Sequence, residues 1–280
     1  MELLRLLPPV LRARGFRLYL ETGKRLTDLW QMGGKAVLGH KPPRVIGELK
    51  NSAERGLFAP FPHHSESRFL KALTRLFPAA DGEESGQYCF RLYNSGTALE
   101  KALSNAGIVF QKPFVDPSLC FMPDKPPLNE QINISLWRPF LNENILAPLI
   151  IPALPFPLSP SVLVFKKSLD SLFPPGDLIP PVNLAVGARA VYDLAASGKN
   201  GGRPVYRKIN KALAKGKKWR SRCIYLSRNN VSDMDNSWPD IWKHFLENGF
   251  LLPPSPAEPL ILPGELSNGE ETKLAGLLCD

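Results

Sequence analysis

A stretch of 22 uncharged residues, Asn144–Phe165 (NILAPLIIPALPFPLSPSVLVF), most constrains what this chain can fold into. By length and apolarity it would cross a bilayer as one helix. Pro148, Pro152, Pro155, Pro157 and Pro160 forbid that, because each interior proline removes a helix hydrogen bond and costs about 3 kcal/mol. The residues predict instead two short buried strands, near Leu149–Ile151 and Val162–Phe165, joined by a proline-rich loop. No membrane span is expected. The same punctuation runs through the chain: 29 of 280 residues are proline, about double the usual ~5% share. Short elements with abrupt starts follow. With 44% hydrophobic and 22% charged residues, the composition excludes a disordered or fibrous chain and suits one large domain or two of moderate size.

Cys89, Cys120, Cys223 and Cys279 lie far apart with no CxxC spacing. Neither a zinc site nor a disulfide framework is read from them, and reduced thiols in a cytoplasmic protein are expected. The N-terminus, with Glu2 and with Pro8-Pro9, makes a poor signal peptide.

The net charge of +9 is local. Between Asp193 and Asp233 there is no acid, while Lys199, Arg203, Arg207, Lys208, Lys211, Lys215, Lys217, Lys218, Arg220, Arg222 and Arg228 are basic. Without those eleven, 24 basic residues face 26 acids. Val205, Ile209 and Leu213 recur at helical spacing, which predicts a helix with one apolar stripe and the cations elsewhere on its circumference. Segment 199–228 reads either as a solvated helix at a domain edge or as a polyanion-binding or nucleic-acid-binding face, with Tyr206 and Trp219 available to stack on bases.

Elsewhere the spacing predicts a hairpin of Arg17–Leu20 and Lys24–Leu29 about Gly23. Helices are expected at Pro43–Arg55, Glu66–Phe77 (with Ser65 as its cap), Ala98–Ala106, Val182–Ala196 (ended by Ser197-Gly198), Trp238–Asn248 and Gly269–Leu278. Strands are expected at Gln87–Tyr93, Arg222–Leu226 and Phe250–Pro253. Residues 111–181 show little periodicity.

The junction Tyr93-Asn94-Ser95-Gly96-Thr97 is a strand end, a small-residue turn and a helix start. Such a junction leaves backbone N–H groups at the positive end of a helix dipole, which suits a phosphate, although an ordinary N-cap has the same sequence.

That junction closes an ordered series. Arg12-Ala13-Arg14-Gly15, the hairpin, Thr27-Asp28, Leu38-Gly39-His40 and Pro42-Pro43 come first. Glu66, Phe77-Pro78 and Phe90–Thr97 follow. In order and spacing the series resembles the N-terminal quarter of the class III aminotransferases, fold-type I pyridoxal-phosphate enzymes that include glutamate-1-semialdehyde aminomutase. Asn183–Leu194 is similar to that family's interdomain helix, and Gly249–Ser255 with the final helix to its C-terminal strand and helix. The resemblance covers about residues 5–107 and 180–280. It implies an α/β fold: a reduced three-layer core of the fold-type I transferase kind, with a small α+β domain built from both termini. The expected divisions are 1–62 and 182–280 for the small domain with its interdomain helix, and 63–181 for a truncated large domain.

The resemblance also implies roles. Ser95, Gly96 and Thr97 would hold the phosphate of pyridoxal phosphate, and Trp30, in Trp30–Gly34, would line the substrate side. A homodimer is implied, since the family builds its sites across one. The departures lie beyond Gly107. The family there supplies an aromatic stacked on the cofactor, a strand ending in Asp-Glu and the Schiff-base lysine. Residues 108–181 show no aromatic-His-Gly turn, and none of Asp116, Asp124, Glu130, Glu143, Asp170 and Asp177 is read as ending an apolar run. Lys166 and Lys167, after Val162–Phe165, stand where a Schiff-base lysine would be sought. Two readings result: an aminotransferase-like protein without the catalytic centre, or a working enzyme that uses Lys166 or Lys167. His63-His64 as metal ligands, Asp233–Asn236 as a calcium loop and Gly198–Gly202 as a nucleotide loop each lack the residues such sites need.

Overall fold

The computed structural model describes residues 2–77, 88–108, 115–119, 134–141, 147–199, 205–228 and 234–279. In chain order they form β1 (Val10–Arg14), β2 (Arg17–Leu20), β3 (Arg25–Asp28), α1 (Pro43–Glu54), α2 (Ser65–Leu76), β4 (Tyr88–Tyr93) and α3 (Gly96–Asn105). Then come β5 (Ile134–Trp137), β6 (Leu149–Pro152), β7 (Ser161–Lys166), α4 (Pro181–Lys199), α5 (Arg207–Lys215), β8 (Trp219–Arg222) and β9 (Tyr225–Arg228). The last elements are α6 (Met234–Glu247), β10 (Phe250–Leu251), β11 (Leu260–Ile261) and α7 (Asn268–Cys279). None of the described helices is long and apolar enough to cross a membrane.

The chain packs as two units. One comprises Met1–Pro42, Ser118–Pro123 and Gly202–Asp280, the other Pro43–Pro117 and Asp124–Gly201. The expected divisions at 62/63 and 181/182 put α1 and α4 with the termini. Both helices pack instead in the unit of the β4–β7 sheet, where Val45 of α1 meets Val182, Val186 and Ala190 of α4.

In that second unit the sheet order is β4-β7-β6-β5. β7 runs antiparallel to both β4 and β6, and β5 runs parallel to β6. The continuous apolar run of β7 reflects burial on both faces. Val162 and Val164 pack with Leu92, Ile150, Phe69 and Leu73 of α2, and Leu184, Ala188 and Val191 of α4. Leu163 and Phe165 point the other way, to Tyr93, Leu149, Phe173, and Leu99 and Leu103 of α3. Helices thus cover both faces, giving an α/β/α three-layer unit. Each fully buried Val, Leu, Ile or Phe among them stabilises it by about 1.5–3 kcal/mol.

In the first unit, β1-β2-β3 form an antiparallel meander and β10 joins β3 in parallel. A second sheet has the order β11-β9-β8. The β2–β3 turn uses Gly23 at φ +79°, which a side chain would strain.

Several expectations are corrected. Arg222–Leu226 is not one strand: β8 and β9 pair Arg222 with Tyr225 around Cys223-Ile224, and Cys223 takes the positive φ that a two-residue hairpin demands. Ser197-Gly198 do not end α4, which continues to Lys199. Ser65 does not cap α2 but is its first residue, its hydroxyl bonded to His63 Nδ1 at 2.9 Å. Val205 precedes α5 and is exposed; Ile209 and Ala212 carry the buried stripe. Met234, Asp235 and Asn236 already lie in α6, which starts ahead of the expected Trp238. β1, β5 and β11 are strands that the sequence spacing does not predict.

Candidate functional site

β4, β5 and β6 all end at one edge of the sheet, where β7 begins: Tyr93 pairs with Ser161 and Trp137 with Pro152. In open α/β sheets, ligands bind beyond such carboxyl ends. The Asn94–Thr97 turn stands at this edge and is exposed. Ser95, in extended conformation, caps α3, and its side chain accepts a hydrogen bond from Ala98 N at 3.1 Å. The amides of Gly96 and Thr97 precede the first intrahelical bond, which Leu99 N donates to Ser95 O. A Cβ on Gly96 would meet nothing within 4 Å, so the approach is open.

The turn is braced from below. Asn94 N donates to Asp177 Oδ2 at 2.9 Å, and Asp177 N donates to Leu92 O at 2.8 Å. Gly176 lies so close to β4 that a Cβ would come within 2.4 Å of Leu92 O. The Asp177 carboxylate puts a negative charge beside any anion held there.

The same edge carries a buried ion pair. Arg138, directly after β5, donates through its guanidinium to both Asp116 oxygens, at 3.3 and 2.6 Å. Arg138 is 4% and Asp116 7% exposed. Asp116 follows Val115, which bridges Ser135 in parallel, so this acid does end a stretch of sheet. The bridge is one residue long, too short for an apolar run to mark it. A cation directly follows β5, and the acid beside it is engaged by that cation.

Lys166 and Lys167 lie elsewhere. In the antiparallel β4–β7 pair, Lys166 faces Tyr88 and Ser161 faces Tyr93. Five residues of strand, about 17 Å at 3.4 Å each, separate Lys166 from the edge that carries Ser95–Thr97. Lys167 begins the following 3-10 turn, Lys167–Leu172, and both lysines are exposed. The segment joining β6 to β7 at the Ser95 edge, residues 153–160, contains no lysine.

Trp30 belongs to the first unit, where the opening part of the resemblance series, residues 12–40, comes together. Asp28 Oδ1 accepts from the backbone N–H groups of Trp30 and Gln31 at 2.8 and 2.9 Å, and Oδ2 lies 2.8 Å from His40 Nε2. His40 N donates to Gly15 O, and Gly39 lies against Gly15. The Trp30 indole donates to Glu258 at 2.9 Å. Gln31 and Met32 take left-handed conformations. Arg12 stacks on Tyr19 at 4.2 Å. Among the described residues no group of histidines, cysteines and acids could hold a metal.

Pyridoxal phosphate fits this edge in part. The Ser95–Thr97 turn suits its phosphate, whereas the described strand ends at this edge offer no amine for a Schiff base and no acid free of a cation.

No protein-family model matches the chain. It is 28% identical over 204 residues to an uncharacterized protein of Treponema pallidum, a match that covers 70% of this chain and 56% of that protein. It is 31% identical over 110 residues to glutamate-1-semialdehyde 2,1-aminomutase of Thermus thermophilus, and 35% over 72 residues to that of Sorangium cellulosum. Those matches cover 39% and 26% of this chain, and 24% and 16% of the aminomutases. The chain thus spans about half the length, or less, of these curated relatives. Among solved structures, an ornithine aminotransferase of Plasmodium yoelii superposes with TM-score 0.66 at 14% identity, over 96% of this chain and 92% of that one. Acetylornithine aminotransferase of Elizabethkingia anophelis gives 0.62 at 15%, over 96% and 92%. An ornithine aminotransferase of Toxoplasma gondii, described with partial occupancy of pyridoxal phosphate at its active site, gives 0.62 at 14%, over 98% and 90%. In sequence the chain resembles the class III aminotransferases, and its fold is that of the fold-type I pyridoxal-phosphate-dependent transferases.

Proposed function

We propose that this protein is an aminotransferase-fold binding protein that holds a phosphate monoester, pyridoxal phosphate or a relative of it, at the Asn94–Thr97 turn without a covalent link, and does not transaminate. The observation that carries the reading is the β4–β7 register, which separates Lys166 and Lys167 from the turn by about 17 Å of strand. The cofactor's chemistry needs an amine to bind it and a carboxylate to keep its ring nitrogen protonated. Arg138 directly after β5, paired with Asp116, supplies the opposite charge. What this chain's residues would do is local: Ser95 orders the first turn of α3, the Gly96 and Thr97 amides would donate to the phosphate, and Gly176-Asp177 hold the turn against β4. A cytoplasmic homodimer belongs to this reading through the resemblance alone.

The test is an absorption spectrum with added pyridoxal phosphate, before and after borohydride, with any reduced adduct mapped by mass spectrometry. The expected result is saturable binding with no single labelled lysine. Stoichiometric label on Lys166 or Lys167 would restore the enzyme reading. Label on Lys112 or Lys125, which lie outside the described residues, would equally overturn the proposal.

A further inference from the structure

We infer that the surface formed by α5 and the edge strand β8 binds the phosphate backbone of duplex nucleic acid without reading its sequence. α5 buries Ile209 and Ala212 and turns Arg207, Lys211 and Lys215 outward. At 100° per residue these three cations fall in an 80° arc, about 6 Å apart along the axis. That spacing is close to two phosphates of one duplex strand, at about 3.4 Å of axis each. Like charges four residues apart repel, and no acid among the described residues pairs with any of the three. One acid reaches α5 from α7: Glu271 accepts from Lys208 N, while Lys208 Nζ binds Asn268 Oδ1 and Thr272 Oγ1, so Lys208, about 20° beyond the arc, is not counted with the three.

β8 extends the surface. It is the edge of its sheet, and Trp219 is buried against Phe245. The alternation of the strand therefore turns Arg220 outward, beside exposed Lys217 and Lys218. Uniform positive charge with no acid from 194 to 232 complements a uniform polyanion.

The occupant follows from what the surface lacks. Tyr206 and Trp219, 7% and 4% exposed, are core residues, Tyr206 donating to Pro263 O. The expectation that they stack on bases is overturned, and single-strand binding, which relies on stacking, loses its platform. The apolar stripe of α5 is buried in the fold, so the helix has none to insert into a lipid interface.

The experiment is fluorescence anisotropy of a labelled DNA duplex of about 20 bp with the full chain, between 50 and 200 mM salt. Contacts from Arg207, Lys211, Lys215 and Arg220 give a log–log slope of about −3.6, a loss on the order of 100-fold across that range. The combined Arg207→Ala, Lys211→Ala, Lys215→Ala variant is expected to weaken binding at least about 10-fold and to flatten the slope by about 2.7. Lys211→Arg with Lys215→Arg should bind like the parent, showing that charge is what matters. A flat salt response, an unchanged triple variant, or tighter binding to polyglutamate or phosphatidylserine vesicles than to the duplex overturns the inference.

Discussion

Glu270 shows how one side chain ties distant segments of the first unit together. Its carboxylate takes two hydrogen bonds from the Arg17 guanidinium, at 3.0 and 2.8 Å, one from Thr27 Oγ1, and one from Ser267 N. Ser267 Oγ in turn accepts from Glu270 N, a capping box at the start of α7. Chiefly through Arg17, the Glu270 pKa is lowered to about 2. A depressed acid stabilises the fold above its unfolded pKa near 4.5, and that stability is lost as pH falls from 4.5 towards 2. Glu270→Gln should therefore cost about 2–3 kcal/mol at neutral pH and leave a flatter acid limb, measured by urea unfolding from pH 7 to pH 3. At the sheet edge, Arg138→Met takes the cation from the buried Asp116 carboxylate and is expected to cost about 3–5 kcal/mol; adding Asp116→Leu should recover most of it. Asp177→Asn keeps a partner for Asn94 N but removes the charge beside the turn, so phosphate affinity there should rise about 5-fold by calorimetry. Of these partnerships only the Ser267–Glu270 box is local enough to be visible in the sequence; Arg17 and Glu270 stand 253 positions apart.

Elements are where the sequence was most readable, because their signals are local. Gly23 marked a hairpin, and helical spacing marked α1, α2, α3 and α7 to within a residue or two. Ser95 reads as a cap and is one, so Ser95→Ala should cost about 1 kcal/mol by thermal unfolding and weaken phosphate binding, while Lys166→Ala leaves that binding unchanged. The errors are equally physical. A two-residue turn without Gly or Asn hid the β8–β9 hairpin, since Cys223 adopts φ +54° inside an otherwise strand-like run. β5, four residues long, is recognisable only through its pairing with β6. Val205 matched a helical stripe yet lies outside α5, because periodicity marks a face but not where the helix starts.

For the molecule as a whole, the proposed binding mode has a consequence independent of any spectrum. A phosphate held without a Schiff base does not need the aldehyde, so pyridoxine phosphate should raise Tm about as much as pyridoxal phosphate at the same concentration. A shift confined to the aldehyde would tell against the proposal. By itself the sequence determined the burial of the proline-broken run, the order of the family-like series, the helix-opening turn at Ser95 and the concentration of cations between 199 and 228. These follow from composition and short-range periodicity, which act within a few residues. Only the tertiary structure decided that β7 returns antiparallel and carries Lys166 away from the turn, and that Asp116 meets Arg138. It alone assigned α1 and α4 to the unit of the central sheet and buried Tyr206 and Trp219. Strand order, register and burial are set by contacts between residues far apart in the chain, and no local pattern encodes which strand pairs with which.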